Sequence, residues 1–304
     1  TIDGSKFHAV SSARGVRERE AVARYLDRLE QADSDDAVTI DSTAVAAALE
    51  KLKAHPEPEA RFMRISGGTA PAYNVQTAVD AEHALIVAHE VTTEAADNRS
   101  LQPMAEAAKK AVGEPANLNV VADAGYSNGE QARACEEQGM VPHVPSNRSM
   151  NNQGDGELFD RTAFSHDPKT DTLRCPADQI LYRKQQHRKD RMVWYAARAQ
   201  TCGACALKAR CTTSARRLVS RHFDDEVLNR MNQRATPEVM RLRRSTVEHP
   251  FATLKYRIFG HPRFLLRGRR GAQTEISLAV MAYNLKRMIN ILGAGMLSTR
   301  LAAT

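Results

Sequence analysis

Apolar residues change their period along this chain, and the changes divide it into elements. Residues 1–10, TIDGSKFHAV, alternate like a strand with Asp3 on it. Residues 16–33 and 41–54 carry Val22, Leu26 and Leu29 and then an alanine-rich run at helical spacing, which predicts two helices within an insert spanning about 12–55. The stretch HPEPEARFMRISGG, punctuated by Pro56, Pro58, Gly67 and Gly68, reads as a linker. AYNVQTAVD and ALIVAHEVT are β-branched runs on either side of Asp80-Ala81-Glu82-His83, the pattern of a hairpin. Asp97-Asn98 can cap a helix running to about Ala111.

A strand then ends on Asp123. A helix over Asn128–Gln138 and a short strand in MVPHVPS follow. This order predicts an α/β fold with three antiparallel strands followed by parallel ones. The Asn/Ser/Gly/Asp-rich run 147–156 marks a boundary. Residues 236–259 and 274–292 read as helices, and Leu278, Met281, Leu285, Met288 and Leu292 form a stripe in the last. A core-facing stripe is the better account of it, with a dimer seam as the lesser one. Three segments result: 1–150, 151–235 and 236–304.

No run of eighteen apolar residues exists, so no membrane span is expected, and no export leader is visible. The expected location is cytoplasmic, beside the nucleoid. The chain begins at Thr1 inside a strand-like run, so an upstream piece is expected. Net charge +7 leans towards polyanionic partners. The basic residues are clustered: Arg183–Arg221 holds eleven Lys or Arg against Asp190, and Lys255–Arg270 holds six with no acid. Such runs contact phosphates without reading sequence; the alternative is a solvated surface. Trp194 and Tyr195 suit base stacking or a core equally.

Four of the five cysteines, Cys175, Cys202, Cys205 and Cys211, fall in one region, with C-x2-C and x5 spacings among the last three. Four thiolates suit a structural Zn²⁺, with His187 as a substitute ligand; reduced thiols or a redox pair are the other readings. Cys135, alone in a helical stretch, reads as a packed residue.

The strand that ends on Asp123 poses a separate question, since a carboxylate avoids a buried strand end without a reason. A turn or helix cap is one reason, and a metal ion is the other. Asp3 and Asp123 lie where strands of one sheet converge, and Glu248 on a later helix is the candidate third carboxylate. Three such groups repel one another unless a hard divalent ion neutralises them. Turn or surface roles remain open for each residue alone.

The stretches IDGSKFHAV, YNVQTAVDAEHALIVAHEVTTEAADNRSLQPM, VVADAGYS, RRSTVEHPFATLKY and SLAVMAYNLKRMINILG together resemble bacterial insertion-sequence transposases of the DDE class. The resemblance implies an RNase H-like mixed sheet flanked by helices, with Asp3 on the first strand, Asp123 on the fourth and Glu248 on a late helix. It implies two Mg²⁺ ions, with Mn²⁺ as a substitute, that serve DNA cleavage and strand transfer. It also places the cysteine segment as an insertion between the second Asp and the Glu. In the signature Y-x2-R-x3-E-x6-K, Arg244, Glu248 and Lys255 match and Arg241 stands where the tyrosine belongs. Arg241, Arg244 and Lys255 are the expected phosphate contacts, on one helical face with Glu248. The expected partners are double-stranded DNA and a second copy of the chain, with no membrane. A structure-selective nuclease and an inactive zinc-bearing DNA-binding fragment are the rival functions.

Overall fold

The computed structural model describes residues 1–32, 42–53, 57–146, 158–188 and 191–303; the expected boundary run 147–156 lies outside them. The framework is a sheet built around β3 (Gly68–Val79). Strands β1 (Ile2–His8), β2 (Arg61–Ile65) and β4 (Ile86–Thr92) all pair antiparallel with it. Between β1 and β2 lie helices α1 (Ala13–Ala32) and α2 (Ser42–Lys53), as the periodicity predicts.

The linker reading of residues 55–68 is corrected by β2. Gly67 and Gly68 both take positive φ, so they form a tight hairpin turn. Phe62 and Met63 flank the edge of the core while the arginines face solvent, a pattern too short to stand out from the prolines before it. Asp123 therefore follows the fifth strand, not the fourth.

The central sheet buries both faces. On one face, Phe7, Tyr73, Val75, Val79 and Val91 pack against two late helices through Val247, Phe251, Ile276 and Val280. On the other, Ile2 and Ala78 join the helix α3 (Leu101–Ala111), strands β5 (Leu118–Val121) and β6 (Met140–His143), and the helix between them, α4 (Gly129–Glu137). Asn128 caps α4, its side chain accepting from the amides of Glu130 and Gln131. Cys135 is fully buried there, as a packed residue should be.

β5 and β6 pair in parallel, as expected, but as a two-stranded sheet of their own. The chain is thus a mixed α/β fold. Its parallel and antiparallel strands do not share one hydrogen-bonded sheet, contrary to the expectation of a single mixed one. The boundary between β1 and β5 is held by side chains instead, described below.

The described residues of the 158–222 segment build an antiparallel meander. It comprises β7 (Ser165–Asp167), β8 (Thr172–Arg174), β9 (Ile180–His187), β10 (Met192–Ala196) and β11 (Leu218–His222). Its core is its own, around Phe164, Leu181, Val193, Tyr195 and Val219. Tyr195 is buried and its neighbour Trp194 exposed, as strand alternation requires. The short helix α5 (Ala199–Gly203) lies between β10 and β11. The helix α6 (Asp225–Arg234), drawn above within the middle segment, packs instead on α4 and β6, where Arg230 and Arg234 share Glu136.

The late helices are α7 (Pro237–Ala252), α8 (Gly268–Leu292) and α9 (Ala294–Ala302). Thr236 caps α7 and Pro237 occupies its first turn. Pro250 lies within α7 without ending it, and the chain continues as a π-helical turn over Thr253–Ile258. A residue without an amide proton loosens the ladder there, which favours such a bulge. Polar side chains of α8 serve the backbone of β4: Asn284 bonds both the amide and the carbonyl of Ile86, and Gln273 accepts from the amide of Val91. That need explains why α8 turns Ala272, Ile276, Ala279, Val280 and Tyr283 to the sheet. The Leu278–Leu292 stripe is therefore not the core face. Leu278 is 58% and Met281 62% exposed. No helix among the described residues is long and apolar enough to cross a membrane.

Candidate active site

Asp3 and Asp123 come together. Asp3 sits in β1, on the face shared with Phe7; Asp123 follows β5, where a single 3-10 turn over Ala124–Tyr126 begins. Both readings of Asp123 hold at once. One oxygen caps that turn, accepting from the Gly125 amide at 2.8 Å, and the other accepts from Arg243 at 3.1 Å. The same guanidinium nitrogen donates to Asp3 at 2.6 Å. Residues 120 positions apart thus share one cation, carried by α7, which packs on both β1 and β5.

Burial pushes the Asp3 carboxyl up to about 6, and the adjacent Asp123 adds to the rise while Arg243 opposes it. Two close carboxylates in a half-dry site either take up a proton or sit against a cation, and here the cation is the Arg243 guanidinium. Thr77 stands opposite Asp3 on β3, and its buried hydroxyl has no partner among the described residues. The Arg243 Nε is likewise buried without an acceptor.

Glu248 is not brought to the pair. Five residues on from Arg243, it lies about 140° around α7, on the exposed side. Among the described residues, no group of three or more His, Cys, Asp or Glu side chains is arranged to hold a metal ion. Of the expected one-sided stripe, Arg241, Arg244 and Glu248 share the exposed side of α7, and Lys255 alone leaves it. Arg244 is exposed, and Arg241 pairs with Glu238 at 3.3 Å on the surface. The π-helical turn changes the angular step, and Lys255 is carried inward, its ammonium 5.6 Å from the centre of the Phe7 ring. Burial lowers the Lys255 ammonium's affinity for its proton, while Asp3 opposes that shift.

Arg243 escaped the sequence reading because RLRR offers two adjacent arginines and only the fold says which one turns inward. Asp97 does not cap α3, contrary to the expectation from its position. Ser100 occupies the N-cap of α3 without a side-chain bond, while Asp97 accepts from Lys6, Asn74 and Gln76. Asn74 and Gln76, two amides at alternate positions of an otherwise apolar strand, were the available signal.

A side chain at Gly4 would meet this group, since an added Cβ would lie 2.6 Å from Asp97 Oδ1 and press on the Gln76 amide. Gly4→Ala is therefore expected to lower stability by about 1–3 kcal/mol in chemical denaturation; an unchanged midpoint would show that the strand can shift freely.

The four clustered cysteines also converge. Cys175 after β8, Cys202 in α5, Cys205 and Cys211 all line one cavity of about 20 Å³, little more than the space of one small sphere. All four are free thiols, and the Gln179 amide donates to Cys175 Sγ at 3.4 Å. Burial raises the Cys211 thiol's hold on its proton. The thiols converge without being set as a ligand sphere, and His187 does not line the cavity.

Part of the first basic run is engaged within the protein, although Arg183, Lys184, Arg188, Arg198 and Arg210 stay exposed. Arg183 pairs with Asp171 and Arg191 with Asp224, while Arg217 is buried, donating to the carbonyls of Cys211 and Phe159. In the second run, Arg257, Arg267 and Arg270 are exposed.

Comparison with known proteins gives one result. A model of the transposase DDE domain family matches residues 33–285. No curated protein and no solved structure matches the chain.

Proposed function

From the premise that the chain belongs to the transposase DDE domain family, we propose that it cuts DNA at the ends of a transposable element and joins the freed 3′-hydroxyl to target DNA, on an RNase H-like core. The observation that carries this reading is the Asp3–Asp123 pair, drawn from distant strands onto a single cation. A divalent ion, Mg²⁺ or Mn²⁺, bound there would supply the charge that activates the attacking oxygen and stabilises the leaving one. Asp3 and Asp123 would hold it. The chemistry of the donor set fits: two partly buried carboxylates offer oxygen ligands whose combined charge exceeds that of the one guanidinium facing them.

The chain's own residues do the rest. Arg243 keeps the two carboxylates turned to one point. Lys255, held over Phe7, and the exposed Arg244 and Arg241 supply positive charge for the phosphates of the bound strand. Glu248 is the third carboxylate of this reading, and from its exposed position on α7 it joins the pair only on a change in the setting of that helix. Two copies of the chain, one at each DNA end, would complete the working complex. On this reading Cys175, Cys202, Cys205 and Cys211 would hold a structural Zn²⁺, and would have to turn to a common point to do so.

The test is strand transfer by the full chain with Mg²⁺ and DNA bearing the element's own ends. Joined products support the reading; cut ends that are released and never joined, with the enzyme saturating, would leave a nuclease instead. Glu248→Gln should abolish joining while leaving DNA binding within about twofold.

Arg243→Gln tests the shared cation. Loss of two charge-assisted bonds should destabilise the metal-free protein by roughly 1–3 kcal/mol, and millimolar Mg²⁺ should recover most of that. A thermal melt insensitive to Mg²⁺ in the variant and the parent alike would count against an ion at the pair.

A further inference from the structure

We infer that Asp97, Gln76 and Tyr126 form a positioning unit for the two catalytic aspartates, acting from the opposite face of β1. The inference rests on the reading of the Asp3–Asp123 pair as the reactive site.

Side chains alternate along β1, so Asp3 and Phe7 face the late helices while Gly4 and Lys6 face α3. Opposite Gly4 and Lys6 on β3 stand Gln76 and Asn74, both fully buried. Asp97 closes this layer. Its Oδ1 accepts from Asn74 Nδ2 at 2.6 Å, Gln76 Nε2 at 2.7 Å and Lys6 Nζ at 3.2 Å. Gln76 Oε1 in turn accepts from the hydroxyl of Tyr126, which is buried in the turn that Asp123 caps. One continuous set of polar contacts therefore runs from the strand of Asp3 to the turn of Asp123.

The fit is close as well as polar. The backbone beside Asp3 rests directly on the group: a Cβ at Gly4 would stand 2.6 Å from Asp97 Oδ1 and 3.1 Å from the Tyr126 oxygen. A carboxylate and two amides placed in an apolar layer are costly unless they find partners. Here Asp97 takes both amide donors and Tyr126 serves Gln76 Oε1, while Asn74 Oδ1 alone of the group has no partner among the described residues. β1 and β5 share no ladder hydrogen bonds. Beside the apolar packing of Ile2, Val120 and Ala122 in one cluster, this group and Arg243 make the polar connection between the two strand ends that carry the carboxylates. Asp97 itself is not a metal ligand in this arrangement, since Oδ1 is taken by three donors and Oδ2 receives Lys6 at 3.3 Å.

The experiment uses the full chain with Tyr126→Phe, which deletes one hydroxyl and keeps the ring, and Asp97→Asn, which keeps the shape and removes the charge. Mn²⁺ binding without DNA is measured by calorimetry, and Mg²⁺-dependent cleavage is resolved into kcat and KM for DNA. Both variants should bind Mn²⁺ about 10-fold or more weakly and lose kcat, with KM unchanged and cooperative melting retained. Variants that melt earlier yet bind Mn²⁺ and turn over like the parent would reduce the group to ordinary structural support and overturn the proposal. Loss of Mn²⁺ binding in Asp97→Asn as complete as in Asp123→Asn, with Tyr126→Phe unaffected, would make Asp97 a ligand and overturn it too. If Asp97→Asn does not fold, Tyr126→Phe alone decides. A parent whose Mn²⁺ binding is indifferent to Asp123→Asn would instead overturn the site itself.

Discussion

Asp123→Asn should lower metal-dependent DNA cleavage by about 10³-fold or more, corresponding to roughly 4 kcal/mol of lost transition-state stabilisation. The substitution is nearly isosteric. The oxygen that caps the 3-10 turn can still accept from the Gly125 amide, so local structure has no reason to change. What disappears is one of two negative charges facing Arg243. With one carboxylate left, the site balances a guanidinium but has little attraction for a divalent ion as well. DNA affinity should stay within about twofold, because phosphate contacts come from basic residues elsewhere on the surface. Cleavage within tenfold of the parent, at limiting Mg²⁺, would remove Asp123 from the chemistry and leave it a cap.

The second large effect concerns the cysteines. Freshly reduced protein should contain about one zinc per chain, and Cys205→Ser should lose it. Structural zinc contributes on the order of 10–16 kcal/mol of apparent binding free energy in small sites, and residues 158–222 have only a modest apolar core of their own. Chelation should therefore open β7–β11 to hydrogen exchange while β1, β3 and β4 remain protected. Metal analysis finding no zinc, or exchange unchanged by chelator, would leave a cavity of four reduced thiols packed beside Phe159 and Leu181.

Both effects concern residues that were legible in the chain, and the partners of those residues mostly were not. Asp3, Asp123 and the cysteines stood out because their chemistry clashes with an apolar strand or repeats at a metal-like spacing. Arg243 and Asp97 did not, because their roles depend on which way they face. An arginine beside another arginine, or an aspartate four residues before a helix, has an ordinary local explanation. In Asp97 that explanation fails: burial of Asn74 and Gln76 creates amide donors, and a carboxylate from another segment accepts from both.

Local periodicity and turn chemistry by themselves determined the strands β1, β3 and β4, the hairpin at Asp80–His83, and the helices α1, α2, α4 and α8, since each depends on residues a few positions apart. The motif stretches around Asp3, Asp123 and Glu248, by contrast, carry the resemblance that the family match bears out. Tertiary packing decided what no short stretch could. It made β2 of a presumed linker, through a two-glycine turn that needed a partner strand. It turned α8 so that Asn284 and Gln273 reach β4, leaving Leu278 and Met281 outside. It also pointed Arg243 inward and Glu248 outward on one helix, because a helix packed across β1 and β5 can present only one side to both, and which side is chosen by the whole interface rather than by any short stretch of sequence.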